Sequence, residues 1–140
     1  MKLIYVAGKY LGDSDWETYL NIHHARVVAH KLWHEGWAVI CPHSNTAYFG
    51  GIGERNKDDP NGDWKRWLEG DLEMVRRCDA IYMLSNWRDS KGAKLELEEA
   101  RKVGKKIFYE TKPPPEKKAK EEKWRPMSIG DIGGTGGPFG

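Results

Sequence analysis

The sequence predicts an α/β protein, a small three-layer sandwich with a parallel sheet of Rossmann or flavodoxin type. Three observations lead there. Apolar runs of strand length occur at residues 2–7, 37–41, 80–84 and 105–109. Segments whose apolar residues recur every three or four positions separate them. The chain has 140 residues, which suits one hydrophobic core. Strands alternating with helices imply parallel pairing through right-handed crossovers, and ligands of such sheets bind outside the carboxyl ends of the strands.

Each element has its own justification. Residues 2–7 form a continuous apolar run closed by Gly8, as expected of a strand buried on both faces. Asp13 or Ser14 can cap the helix that follows. Over residues 16–35, Ile22, Ala25, Ala29, Leu32 and Trp33 recur at helical spacing, and Gly36 ends the run. The second strand, 37–41, is closed by Pro42, and the polar, Gly-rich residues 43–62 read as a long loop of the kind that carries function. A second helix runs from Asp63 to Arg77, a third strand over 80–84, a loop over 85–90, and a third helix over 91–103. The fourth strand follows Gly104.

Composition narrows the classes. Of 23 basic and 21 acidic residues, six and four fall in residues 111–140, which leaves the body with 17 of each and no net charge. A polynucleotide-binding chain carries a strong basic bias, so nucleic acid polymers are excluded as partners. No apolar run reaches the roughly 20 residues of a membrane span. Two cysteines, Cys41 and Cys78, are too few for a disulfide framework and read as small core residues. A soluble, cytoplasmic protein is expected. Residues 1–110 make the α/β domain; 111–140 make a Pro-started charged linker and a Gly-rich flexible tail, in which Trp124, Met127 and Ile129 are the alternative anchor.

Two carboxylates stand where solvated ones do not. On the second helix Trp64, Trp67, Leu68, Met74, Val75 and Cys78 lie three, four or seven positions from Asp71, so this acid sits in the apolar stripe. On the third helix Ala93, Ala100 and Val103 share a face with Glu96. A buried carboxylate is costly unless it is paired or protonated. Two of them near one sheet end are candidates for general acid, base or nucleophilic work on a glycosidic bond. The bland alternative is that each caps a loop or pairs with a cation such as Arg76 or Arg88.

Several runs carry a family resemblance: LIYVAG at 3–8, with Asn21, Ile22, Ala25, Ala29, Leu32 and Trp33, then CPHSNT at 41–46, GDL at 70–72, CDA at 78–80 and SKGAKLE at 90–96. Together they resemble the nucleoside 2-deoxyribosyltransferase-like family, which includes 2'-deoxynucleoside 5'-monophosphate N-glycosidases. The resemblance implies Glu96 as the nucleophile that attacks C1' of a deoxyribose and forms a covalent deoxyribosyl-enzyme. It implies Tyr5 as the residue orienting that nucleophile and Asp71 as the acid assisting departure of the base. Ser90, Gly92 and the start of the third helix are then placed for close approach of the sugar or a 5'-phosphate. The pattern departs from the family after Gly8, where Lys9 replaces the usual Pro and can face a phosphate, and where Tyr10, Leu11 and Gly12 replace an Arg-Gly-Gly loop.

Further candidates lie in loops. His43 and Asn45 follow the second strand, and His43 either reaches substrate or braces its loop. Trp87 precedes Ser90 and offers a stacking surface for a base, whereas Trp33, Trp64 and Trp67 fit helix core positions. His30 and His34 have the i,i+4 spacing of metal ligands, but no Glu of an HExxH motif accompanies them, and with His23 they read as a surface or interface cluster. Neither metal nor organic cofactor is expected; a homo-oligomer is expected from the resemblance. The expected function is cleavage or transfer of the N-glycosidic bond of a 2'-deoxynucleoside or its 5'-monophosphate. The alternative is a non-catalytic nucleotide-binding or sensing module of the same fold.

Overall fold

The structure, a computed structural model, describes residues 1–47, 49 and 62–111. The expected linker and tail, and most of the expected long loop, lie outside the described residues. The elements are β1 (Leu3–Ala7), α1 (Asp15–His34), β2 (Ala38–Ile40), α2 (Pro42–Asn45), α3 (Gly62–Arg77), β3 (Ala80–Met83), a 3-10 turn (Trp87–Asp89), α4 (Lys91–Lys102) and β4 (Lys106–Tyr109). The four strands form one sheet in the order β2-β1-β3-β4, and every pairing is parallel. Tyr5 lies beside Ile40 on one side and Ile81 on the other, so β1 is central.

The chain leaves β1 toward β2, then crosses back over β1 to reach β3. That reversal puts the switch point of the sheet at the carboxyl ends of β1 and β3, where ligands of open α/β sheets bind.

Side chains along the strands alternate between two cores. Ile4, Val6, Ala80 and Leu84 pack with Ala25, Val28, Ala29 and Leu32 of α1. Tyr5, Ala7, Ile81 and Met83 pack on the opposite face with Val75 of α3, Cys78 just past its end, and Ala93, Leu97 and Ala100 of α4. Three layers result, as the alternation of elements predicts.

Local signals place the helix ends. Ser14 caps α1, its hydroxyl accepting from the Glu17 amide at 3.1 Å, while the Glu17 carboxylate returns to the Asp13 amide at 2.6 Å. Gly36, at φ +98°, turns the chain out of α1 into β2. Two pieces of helix occupy stretches read as loop. Pro42 at the first position of α2 supplies the φ that one turn requires; the 3-10 turn precedes the cap of α4.

Three tryptophans correct the sequence reading. Trp33 is 53% exposed, Trp64 44% and Trp67 39%, so none is core. Spacing identifies the face a residue shares but not whether another element covers it. Among the described residues α3 joins the core through its last turn, by Met74 and Val75, with Cys78 just past its end, and Trp33 lies at the margin of the arc that α1 buries. Val103 is exposed as well; it follows α4, and Leu97 fills the place beside Glu96 and Ala100.

Candidate active site

The helix α4 starts at the switch point and carries Glu96 inward. Ser90 caps it, accepting from the Ala93 amide at 3.1 Å. Ala93, Glu96, Leu97 and Ala100 then form its buried face. The Glu96 side chain is 7% exposed, a carboxyl inside an apolar cluster. Burial pushes its pKa up to about 8; the nearby Asp71 carboxyl adds to the rise and the Tyr5 hydroxyl opposes it.

Tyr5 comes from the central strand, fully buried on the same side of the sheet. Its hydroxyl has no partner at hydrogen-bonding geometry among the described residues. It lies near enough to Glu96 to act on its ionisation, so a small side-chain shift lets it donate to that carboxyl. Burial and the two neighbouring acids hold the Tyr5 phenol well above its ordinary range, so it stays a proton donor. Asp71, half-buried on α3, is pushed up to about 6 by desolvation.

The cations offered as bland partners are engaged elsewhere. Arg76 pairs with Glu99 at 2.7 Å and Glu73 at 3.1 Å, and Arg88 lies over the Trp87 ring at 5.1 Å. No salt bridge reaches Asp71 or Glu96 among the described residues. Tyr5, Asp71 and Glu96 thus come from three elements to form one patch of unpaired acidic groups.

The loop after β1, at the same end of the sheet, is pinned from both sides. The Lys9 amide donates to Asn86 Oδ1 at 2.9 Å, and the Lys9 carbonyl accepts from His43 Nε2 at 2.9 Å. A carbonyl only accepts, so His43 carries its proton on Nε2, which leaves Nδ1 buried without a partner among the described residues. Burial lowers the pKa of His43 and favours the neutral ring. Of the two roles open to His43, the structure displays loop bracing: the ring is 5% exposed and tied to backbone. Gly8 is required here, since a Cβ would fall 2.5 Å from Leu84 Cδ1 and 2.9 Å from Asn86 Oδ1. Asn86 is a positioning residue the sequence reading missed. Its only signal was a short amide side chain just past a buried strand.

The remaining candidates divide. Gly92 and Ser90 stand beside Glu96: a Cβ at position 92 would lie 3.8 Å from Glu96 Oε1 and 3.9 Å from Ser90 Oγ. These are ordinary contacts, so Gly92 keeps space open above the carboxyl and avoids no backbone clash. Asn45 is exposed, its amide 3.9 Å from Met74 Sδ on α3. Trp87 is half-buried, its ring tilted against Tyr109 at 6.2 Å, and packs on the core. The accessible aromatic surface on the Asp71 side of α3 is instead Trp67, edge-on to Phe49 at 5.8 Å, and Trp64, beneath the Lys91 ammonium at 5.4 Å. A cavity of about 270 Å³ is lined by Tyr19, Ile22, His23, Arg26, Ser44 and Ala47, from α1 and the region of α2, and by none of Tyr5, Asp71 and Glu96.

Chemically the two carboxyls differ in proton affinity, Glu96 holding its proton the more strongly. With one titrating near 6 and the other near 8, the pair carries a single proton around neutrality. Cys78 is no nucleophile, since burial pushes its thiol up to about 11, and burial raises the Cys41 thiol too. Among the described residues no group of three or more His, Cys, Asp or Glu is arranged to hold a metal ion, and no helix is long and apolar enough to cross a membrane.

A family model described as "Domain of unknown function (DUF4406)" matches residues 2–109, and the chain belongs to that family. No curated protein matches it. Among solved structures it is similar to a 2-deoxyribosyltransferase from the psychrotolerant bacterium Bacillus psychrosaccharolyticus, at 22% identity and a TM-score of 0.53, over 76% of this chain and 70% of that one. It is also similar to a 2-desoxiribosyltransferase from Leishmania mexicana, at 22% identity and a TM-score of 0.49, over 81% of this chain and 68% of the other. At this identity the likeness is one of fold: a four-stranded parallel sheet flanked by helices.

Proposed function

We propose that this DUF4406 member cleaves or transfers the N-glycosidic bond of a 2'-deoxynucleoside or its 5'-monophosphate. The observation that carries the reading is the burial of Glu96 beside Tyr5 and Asp71 with no cation to neutralise it. A structural carboxylate at that depth is ordinarily paired, because an unpaired buried charge is costly. A nucleophile for an oxocarbenium-like centre is left unpaired, since the developing positive sugar is its counter-ion. The fold of the Bacillus enzyme supports the same reading.

The step balances as follows. A Glu96 oxygen forms a bond to C1' as the C1'–N bond breaks. The electron pair of that bond passes to the base nitrogen, and the proton comes from Asp71 to the base. Water or a second base then loses its proton to the Asp71 carboxylate and bonds to C1', while the C1'–O bond breaks and its electron pair returns to Glu96. The free site favours the opposite proton distribution, with Glu96 protonated and Asp71 ionised. A difference of two pKa units is about 100-fold, or about 2.7 kcal/mol. Substrate supplies that difference, since cationic character at C1' favours ionised Glu96 and a base acceptor favours protonated Asp71. Tyr5 donates to Glu96 and holds one oxygen toward the sugar. In this reading a 5'-phosphate falls to Lys9, Ser90 and the first amides of α4, and the base to the aromatic surface of Trp67 with Phe49.

The test is chromatographic. The full chain is incubated with 2'-deoxynucleosides, their 5'-monophosphates, ribonucleotides and NAD, with and without added free base, beside Glu96→Ala. Base release or exchange that disappears in the variant is the expected result, and the panel identifies the substrate. Absence of turnover at high protein concentration overturns the proposal.

A further inference from the structure

We propose that α1 carries a bidentate site for a divalent transition metal, formed by His30 and His34 on its solvent face. Both side chains are exposed, and their Nε2 atoms lie 3.3 Å apart, with ring centroids at 4.5 Å. That separation is informative. Two Zn–N bonds of about 2.05 Å opened to the tetrahedral angle put their nitrogens about 3.3 Å apart. The rings already converge at the bite a zinc-class ion requires, and the rigid helix fixes the i,i+4 spacing behind them.

Such a site binds without rearrangement, which spares the cost of ordering two side chains. In the absence of metal one Nε2 carries the proton of their hydrogen bond and the other accepts it; a metal ion takes the place of that proton, which moves to the ring's Nδ1 or to solvent. Lys31, the nearest cation in sequence, is drawn toward Glu35 at 3.8 Å. Among the described residues no third ligand joins the pair, and water fills the other positions. The expected affinity is therefore modest and follows ligand type, with Cu(II) above Zn(II). The site lies on α1, in the layer across the sheet from Glu96, so it is separate from the glycosidic proposal and independent of it.

The experiment uses the tag-free full chain, zinc chloride and copper chloride as probes, and the histidine ring C–H resonances read by NMR during the zinc titration. Calorimetry gives the affinity. The expected result is that the His30 and His34 signals move together and saturate at one zinc per chain, while those of His23 and His24 do not move. His30→Ala and His34→Ala each weaken zinc binding at least tenfold, and His23→Ala leaves it unchanged. Copper binds at least tenfold more tightly than zinc through the same pair. No movement of the two signals at millimolar zinc, or unchanged affinity in His30→Ala, overturns the proposal. Since these positions are exposed, circular dichroism is expected to report an unchanged fold in all three variants.

Discussion

Replacing Glu96 by Gln is expected to stabilise the protein at alkaline pH while abolishing glycosidic turnover. In the folded chain the carboxyl titrates near 8 instead of its ordinary 4.5, mainly because burial removes it from water. Across that interval the folded state retains a proton that the unfolded state has released. Stability from this group is therefore fully present below about 4.5 and is lost as pH rises toward 8. A rise of that size is worth roughly 4–5 kcal/mol at the upper end, taken at 1.36 kcal/mol per unit. Gln is close in size and uncharged, so the variant does not pay this penalty.

The assay is urea unfolding of wild type and Glu96→Gln at pH 5, 7 and 8.5. Subtracting the two proteins at each pH cancels the titrating groups that do not interact with Glu96, such as the His24–Glu110 pair at 2.8 Å; Asp71 and Tyr5, its neighbours, stay in the difference. The variant should lie within about 1 kcal/mol of wild type at pH 5 and above it by roughly 2–4 kcal/mol at pH 8.5, part of the full effect being absorbed by relaxation around the charge. A difference that does not grow with pH would refute the reasoning, because it would mean that Glu96 is ionised in the fold at little cost.

Other outcomes follow from the same geometry. The pH profile of kcat/KM should be a bell with limbs near 6 and 8, activity falling on the acid side as both carboxyls gain protons and on the alkaline side as both lose them. Tyr5→Phe should leave stability equal or higher, since it removes a buried hydroxyl without a partner among the described residues, and should lower kcat about tenfold or more; unchanged kcat would remove Tyr5 from the mechanism. Gly92→Ala, which meets no clash and gains roughly 0.5–1 kcal/mol of helix propensity, should raise the melting temperature slightly yet depress turnover by filling the space above Glu96. Asn86→Ala should cost about 1 kcal/mol in denaturant unfolding and raise KM more than it lowers kcat, because it frees the Lys9 amide without touching the acids.

What could be read in the sequence, and what could not, has a physical boundary. Asp71 and Glu96 were legible because a helix repeats every 3.6 residues, so an acid among apolar neighbours at offsets of three, four and seven betrays its face. The strands were legible as continuous apolar runs, since a parallel sheet is covered on both sides. The pinning of Lys9 by Asn86 and His43 was not. It depends on β1 lying between β2 and β3, which brings the loops after all three strands together. Strand order is a long-range property with no local signature. Trp64 and Trp67 mark the same boundary from the other side: the pattern put them on the face of Asp71, where they are, but could not show that, among the described residues, α3 joins the core through its last turn.

The ion pairs stand around the site and do not enter it among the described residues. Arg76, on α3 with Asp71, reaches across to α4 and takes Glu99, three residues from Glu96, at 2.7 Å. A guanidinium is therefore available between the two helices, and it neutralises the exposed edge of their interface. The deeper acids are left without one. Glu110, by contrast, is pushed up by burial but more than compensated by hydrogen bonds from the His24 side chain and the Ser85 amide, so its pKa is lowered, as expected of a carboxylate that holds loops together. Among the described residues the chain thus gives its structural acid a cationic or amide partner and leaves Asp71 and Glu96, beside Tyr5, without a cation at the switch point of the sheet. Local destabilisation of this kind persists where the rest of the fold holds it in place, and here the pinned loop after β1 and the capped start of α4 do so. If the patch were merely packing, replacing Glu96 by a neutral residue would cost nothing in chemistry; the base-release assay and the unfolding series on the same variant separate those two roles.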